Sequence, residues 1–71
     1  MSKETYIPRS TNIDEIVFDS DEQTMTITFK NGRAWTYSGV PQALFLGIQN
    51  AQSAGSYFIR HIKTSYPSEE V

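Results

Sequence analysis

The sequence contains no cysteine, which excludes both a disulfide framework and a thiolate zinc site. It has one histidine, His61, which cannot form a metal site without carboxylates or a second copy of the chain. No apolar run approaches membrane-spanning length, and residues 1–6 lack the apolar core of a secretory signal. The sequence therefore predicts a soluble cytoplasmic protein with no metal, no cofactor and no membrane partner.

The length of the chain leaves room for one small domain, since it has 71 residues. A domain of about 60 residues buries only about 60% of the surface that its unfolded chain exposes, so its stability is marginal. Disulfides, metals and subunit association are the usual remedies. Because the first two are missing from the sequence, we expect a homo-oligomer.

The charges are unevenly distributed along the chain. A net charge of −2 argues against long duplex DNA as a partner, because such binding requires many cationic contacts. No acidic residue lies between Gln23 and Ser68, and this stretch contains the cations Lys30, Arg33, Arg60 and Lys63. The middle of the protein is therefore locally positive, or the distribution is a chance feature of a short sequence.

Three segments are typical of β-strands, because they are rich in β-branched and aromatic residues: 13–18, 24–29 and 33–39. Asn31-Gly32 is a strong hairpin signal, since a type I′ turn needs a positive φ at both of its central positions. With a two-residue loop, Thr28 lies opposite Trp35 and Thr26 opposite Tyr37. Opposed residues share a sheet face.

This register predicts which sheet face is the core. Five residues of the hairpin fall on the predicted core face, joined by Ile16 and Phe18: Met25, Ile27, Phe29, Ala34 and Thr36. The other face carries Trp35 and Tyr37, surrounded by Thr26, Thr28, Lys30 and Arg33.

The period of the apolar residues becomes helical after Val40. Pro41 suits a first helical turn, and the following helix carries Leu44, Phe45, Ile48 and Ala51. Ser53 is a predicted N-cap for a second helix, whose apolar side holds Phe58, Ile59 and Ile62. The prediction is an α+β fold, a three-stranded antiparallel β-meander followed by two short α-helices packed on one sheet face. Residues 1–11 form a flexible N-terminal arm, 12–66 the domain and 67–71 an acidic tail.

This order of signals resembles the KTSC domain, a short module at the end of some bacterial lysyl-tRNA synthetases that also occurs alone in bacteria and their phages. The resemblance covers residues 12–67 and rests on Phe29-Lys30-Asn31-Gly32-Arg33, Trp35-Thr36-Tyr37, Gly39-Val40-Pro41, Ser53-Ala54-Gly55-Ser56-Tyr57-Phe58, Arg60-His61-Ile62 and Tyr66. The family is better known for a tyrosine at the position of Trp35, so this chain keeps the flat ring and loses a hydroxyl. The resemblance implies the fold above and no enzymatic activity, and RNA binding has been suggested for the family.

The first predicted site is the face that carries Trp35 and Tyr37 with Thr28, Lys30 and Arg33. Rings flanked by cations and hydroxyls can stack on bases and hold phosphates, and each stacked base contributes about 1–3 kcal/mol. Two alternatives remain open. The rings are the centre of a homo-oligomer interface, where Trp and Tyr are enriched, or they are buried by other parts of the same chain.

The second predicted site is the start of the second helix, with Ser53, Gly55 and Ser56 followed by Arg60 and Lys63. Free backbone N–H groups at a helix start favour an anion, and a glycine allows a phosphate to approach closely. The alternative is ordinary N-capping by Ser53, which needs no ligand.

A catalytic role for His61 is not expected, because the pattern places no nucleophile or partner base beside it. We therefore predict a non-catalytic module that binds a nucleotide-type ligand, either short RNA or a small or cyclic nucleotide, and that sequesters a nucleotide signal as a homo-oligomer. The alternative is a protein–protein interaction or homo-oligomerisation module with no nucleotide ligand.

Overall fold

The computed structural model describes residues 3–71, so Met1 and Ser2 of the predicted arm lie outside the described residues. The strands are Lys3–Tyr6 (β1), Ile13–Asp19 (β2), Thr24–Phe29 (β3), Ala34–Ser38 (β4) and Ser68–Glu70 (β5), and the helices are Gln42–Asn50 (α1) and Ala54–His61 (α2). Within residues 3–71, no helix has the length and apolar character needed to cross a membrane.

The five strands form one antiparallel sheet in the order β1-β2-β3-β4-β5. The α+β class is confirmed, and β2, β3 and β4 are the predicted meander. The predicted number of strands was wrong, because the segments interpreted as an arm and a tail each add an edge strand. All three residues of β5 and three of the four in β1 are exposed, so neither strand has the apolar alternation that marks a half-buried strand.

The turn between β3 and β4 has three residues rather than the predicted two. The N–H of Phe29 donates to the Arg33 carbonyl at 2.7 Å, and the N–H of Gly32 donates to the Phe29 carbonyl at 3.0 Å. Gly32 has a φ of +91°, which completes a three-residue hairpin loop that ends on a left-handed glycine. As a result, Ile27 lies opposite Trp35, and the predicted register was wrong by one residue.

A slip of one residue moves every side chain of a strand to the other face. Tyr37 is buried opposite Met25, on the core side of the sheet, and the half-buried Trp35 lies on the same side. Ala34 and Thr36, which were predicted to face the core, lie on the opposite face. The Thr36 Oγ1 is there 3.0 Å from the Thr26 Oγ1.

A bulge in β2 aligns that strand with the core. The register against β3 shifts between Ile13 and Glu15, so that Asp14 is an extra residue. Because of this extra residue, Ile13 and Ile16 are both fully buried, although their spacing of three would put them on opposite faces of a regular strand.

Both predicted helices are confirmed, and they cover the core face of the sheet. Helix α1 buries Phe45, whose ring stacks on Phe18 at a centroid distance of 5.1 Å. Helix α2 buries Phe58, which packs against the rings of β3 and β4. Ile59 was predicted to join this core, but 56% of its surface is exposed. The opposite face of the sheet carries no helix among the described residues, so the fold has two layers.

Candidate functional site

A cavity of about 730 Å³ opens between helix α2 and the hairpin end of the sheet. Its walls come from the loop before β2, the β3–β4 hairpin, helix α2 with the turn that follows it, and the start of β5. The residues that line it are Thr11, Asn12, Ile13, Phe29, Lys30, Asn31, Arg33, Trp35, Tyr37, Gly55, Phe58, Ile59, Lys63 and Ser68. Clefts of about 300–1,000 Å³ are typical of small-molecule sites.

Aromatic rings form the inner wall of the cavity. The Phe58 ring lies edge-on to Tyr37 and to Phe29, with centroid distances of 5.3 Å and 5.7 Å. The half-buried ring of Trp35 belongs to the same wall. The predicted aromatic platform on the open sheet face was therefore misplaced, since the three-residue turn directs both β4 rings towards α2.

Three cations surround this aromatic wall. Lys30 and Arg33 flank the tip of the hairpin, and Lys63 follows α2. The backbone N–H of Lys30 donates to the carbonyl of Asn12 at 2.8 Å, which ties the hairpin to the loop before β2. Asn31 Oδ1 accepts a hydrogen bond from the backbone N–H of Arg33 at 2.9 Å. These two hydrogen bonds hold the hairpin tip in place. They use the backbone N–H groups of Lys30 and Arg33 and not the side chains of these residues.

Arg33 forms a two-pronged ion pair with Glu70. Its Nε lies 2.8 Å from Glu70 Oε2, and its Nη2 lies 3.3 Å from Oε1. This contact raises the pKa of Arg33, first through the hydrogen bond and then through the charge of the carboxylate. Sequence reasoning missed the pair because it treated the C-terminal segment as an acidic tail, whereas β5 places Glu70 opposite Trp35.

The start of α2 is capped as predicted. Ser53 Oγ accepts a hydrogen bond from the backbone N–H of Ser56 at 3.2 Å, which uses one of the free donors at the helix start. Gly55 lines the cavity, and a Cβ at this position would lie 3.9 Å from Ser10 Oγ and 4.0 Å from Asn12 Nδ2. The cavity therefore meets the helix start at Gly55, while Ser53 and Ser56 lie outside its lining.

Tyr37 also has a shifted pKa. Burial raises the pKa of its phenol, and a hydrogen bond with Ser68 acts in the opposite direction to a smaller extent. Both groups line the cavity, so strand β5 supplies a polar contact for the Tyr37 hydroxyl in the aromatic wall.

Most of the predicted site residues meet in this single cavity, although the sequence separated them into two sites. Those that line it are Lys30, Arg33, Trp35, Tyr37, Gly55 and Lys63, and those outside it are Thr28, Ser53, Ser56 and Arg60. Sequence reasoning missed Asn12, whose only signal was its polarity beside a predicted strand, and it assigned Asn31 to the hairpin turn alone. It also assigned Phe29 and Phe58 to the core alone.

His61 is exposed, and its ring lies 4.4 Å from the ring of Tyr57. It does not line the cavity. Across residues 3–71, no three His, Cys, Asp or Glu side chains are grouped so that they could hold a metal ion.

The fold and the cavity define a class of small α+β domain, a five-stranded antiparallel sheet with two helices on one face and a cleft beside the second helix. The KTSC domain model matches residues 9–66, and the chain therefore belongs to the KTSC domain family. This confirms the resemblance inferred from the sequence.

The relatives of this chain include two lysine–tRNA ligases. The chain is 33% identical over 64 residues to the enzyme of Trichormus variabilis and 30% identical over 64 residues to that of Nostoc punctiforme. Each match covers 90% of this chain and 11% of the ligase, so the chain corresponds to a small part of each enzyme. The crystal structure of a KTSC domain protein from Yersinia pestis superposes with a TM-score of 0.89 at 25% identity, over 99% of both chains.

Proposed function

We propose that this domain is a non-catalytic module that binds a nucleotide-type ligand, either a small nucleotide or a short RNA segment, in the cavity beside α2. The observation that carries the proposal is that the half-buried ring of Trp35 shares one cavity with Lys30, Arg33 and Lys63, beside the buried ring of Tyr37. Flat rings suit the faces of bases, and cations suit phosphates.

The charge around the cavity favours an anionic ligand. Its lining, as far as the structure describes it, contains three cations and no acidic residue. Glu70 approaches from β5 and pairs with Arg33, so it neutralises one of the three. Lys30 and Lys63 are both exposed, which leaves their ammonium groups accessible to a phosphate.

The size of the cavity favours a compact ligand over a long polymer. A volume of about 730 Å³ falls within the range of small-molecule sites. Three cations also supply few of the phosphate contacts that give tight binding to a nucleic acid chain. Two relatives of this chain are named as lysine–tRNA ligases. Their name supports including short RNA among the ligands to be tested.

The test is isothermal titration calorimetry with mononucleotides, cyclic dinucleotides and short single-stranded RNA. Trp35→Leu should weaken binding by about 5- to 150-fold, which corresponds to the loss of about 1–3 kcal/mol of stacking on one base. Thr36→Ala is the matched control, because Thr36 is the next residue along β4 and points to the opposite face. Equal affinities of the two variants, with both folded by circular dichroism, would rule out the cavity as the binding site.

A second candidate function is supported by Ile59, which lines the cavity and yet exposes 56% of its surface. We propose as the alternative that the exposed surface around Ile59 is a contact surface for a protein partner or for a second copy of the chain, with no nucleotide involved. Native mass spectrometry at low and moderate salt separates the two functions. Phosphate binding weakens steeply as salt rises, whereas an apolar interface changes little.

A further inference from the structure

We propose that Arg33 forms an anion subsite of the cavity, and that the Glu70 carboxylate fills this subsite in the free protein as a substitute for a ligand phosphate. The inference rests on the proposed nucleotide function and adds to it a position for the phosphate and a competitor built into the chain.

The geometry of the ion pair is that of an anion-binding fork. Two nitrogens of Arg33 face the two oxygens of Glu70, at 2.8 Å and 3.3 Å. A guanidinium presents the same parallel donors to a phosphate as to a carboxylate, so either group fits this position. Arg33 lines the cavity, which places the fork at the boundary of the proposed site.

The carboxylate can leave this position without unfolding the strand. The Arg33 and Glu70 side chains are 63% and 39% exposed, and solvent weakens an ion pair of this kind. The backbone of the segment is held independently, since the N–H of Val71 donates to the carbonyl of Ala34 at 2.9 Å. A rotation of the Glu70 side chain is therefore enough to free Arg33.

The register places this subsite next to the aromatic wall. Glu70 lies directly opposite Trp35 in the β4–β5 pairing, and opposed residues share a sheet face. A ligand whose ring stacks on Trp35 can therefore present a phosphate to Arg33, in the place that the carboxylate occupies.

The chain offers a matched control in the neighbouring residue. Glu69 carries the same charge on the same strand, but it lies opposite Thr36 and points to the other face of the sheet. Glu70→Gln and Glu69→Gln change the net charge equally, and only the first removes the carboxylate charge that pairs with Arg33.

The experiment is a titration of the full chain with inorganic pyrophosphate, followed by the NMR signal of the Arg33 Nε–H group. We expect Glu70→Gln to bind pyrophosphate about 2- to 5-fold more tightly than Glu69→Gln, as expected when an exposed ion pair no longer competes. In the Glu70→Gln background, the further change Arg33→Gln should abolish the gain.

Equal affinities of Glu70→Gln and Glu69→Gln would overturn the inference, as would an Arg33 signal that pyrophosphate leaves unchanged in both of these variants. Nucleotide binding by the unmodified chain is measured in parallel by calorimetry. If that binding is missing while Glu70→Gln still gains affinity for pyrophosphate, the proposed function fails and the subsite stands. If the unmodified chain binds nucleotide and Glu70→Gln gains no affinity for pyrophosphate, the subsite fails and the proposed function stands.

Discussion

The ring of Tyr37 packs edge-on against the ring of Phe58, with their centroids 5.3 Å apart and their planes at 79°. This contact joins strand β4 to helix α2 and forms part of the inner wall of the cavity. The Phe58 ring also packs against the ring of Phe29 in β3, with an angle of 63° between the ring planes, so one side chain of α2 contacts two strands. The same side chains thus support the core and shape the candidate site.

We predict that Phe58→Ala destabilises the protein by about 3–5 kcal/mol, because Phe58 is only 4% exposed and its removal leaves a cavity. A loss of this size equals the whole folding stability that a single small core usually supplies, so the variant should be largely unfolded. Ile59→Ala is the control, since Ile59 is 56% exposed and should change the stability by less than about 0.5 kcal/mol. Circular dichroism without urea measures the unfolded fraction of Phe58→Ala, and urea unfolding measures the stability of Ile59→Ala; a folded Phe58→Ala as stable as Ile59→Ala would contradict the role of Phe58.

The pKa of Tyr37 predicts how stability responds to alkaline pH. Burial raises this pKa above the ordinary value of 10.0, so the folded protein holds the phenol proton more tightly than the unfolded chain does. The resulting stability is complete below the unfolded pKa and is lost as the pH rises from there through the raised pKa. Tyr37→Phe has no proton to lose and should show a shallower decline.

The measurement is the free energy of unfolding in urea at a series of pH values from about 8 to about 11. Tyr37→Phe also loses its hydrogen bond with Ser68, so the comparison uses the slope with pH and not the absolute stability. Parallel curves for the two proteins would show that Tyr37 does not cause the alkaline loss.

The position of the cavity predicts that two neighbouring cations differ in their effect on ligand binding. Lys63 lines the cavity and Arg60 does not. Lys63→Gln should therefore weaken nucleotide binding by about 10-fold, as expected for the loss of a charged hydrogen bond, while Arg60→Gln should leave it nearly unchanged. Calorimetry with the tightest ligand found for the unmodified chain checks this. An equal loss in both variants would favour the site at the start of α2 that the sequence predicted.

Gly47 is predicted to be required by the packing of Tyr57 and not by the backbone of α1. A Cβ at Gly47 would collide with the Tyr57 hydroxyl and lie 2.6 Å from its Cζ. Gly47→Ala should therefore destabilise the protein by about 1–3 kcal/mol through overpacking. In a Tyr57→Ala background the same change should stabilise the helix by about 0.5–1 kcal/mol, because alanine is the better helix former.

A double-mutant cycle on Gly47 and Tyr57, measured by urea unfolding, tests this relationship. A change of sign between the two backgrounds is the expected result. If Gly47→Ala has the same effect with and without Tyr57, the contact is not the reason for the glycine.

Local patterns in the sequence predicted the three central strands, both helices and the Ser53 cap. These features depend on residues close together in the chain, since apolar periodicity and capping act within a few residues. The same patterns correctly assigned Ile16, Phe18, Met25 and Ile27 to the core. Most of the candidate site residues could also be named, because aromatic side chains and the few cationic ones are conspicuous in a short chain.

The arrangement of these residues depended on the tertiary structure. An Asn-Gly pair suits a two-residue or a three-residue hairpin loop, because both need a residue with positive φ. In the structure, the longer loop is found together with the packing of Tyr37 against Phe58. The register that this loop sets places Trp35 on the face opposite to the predicted one. The sequence does not state which face the helices will cover, so it could not choose between the two registers.

The edge strands and the cavity also separate what the sequence determines from what the tertiary structure decides. The sequence by itself determined a small α+β domain, its central elements, most of its core and the chemistry of its candidate site. Only the tertiary structure decided that polar terminal segments join the sheet, that Glu70 reaches Arg33 and that two predicted sites form one cavity. The reason is that edge pairing uses backbone hydrogen bonds, which every residue type except proline can donate, and that a cavity depends on contacts between residues distant in the chain.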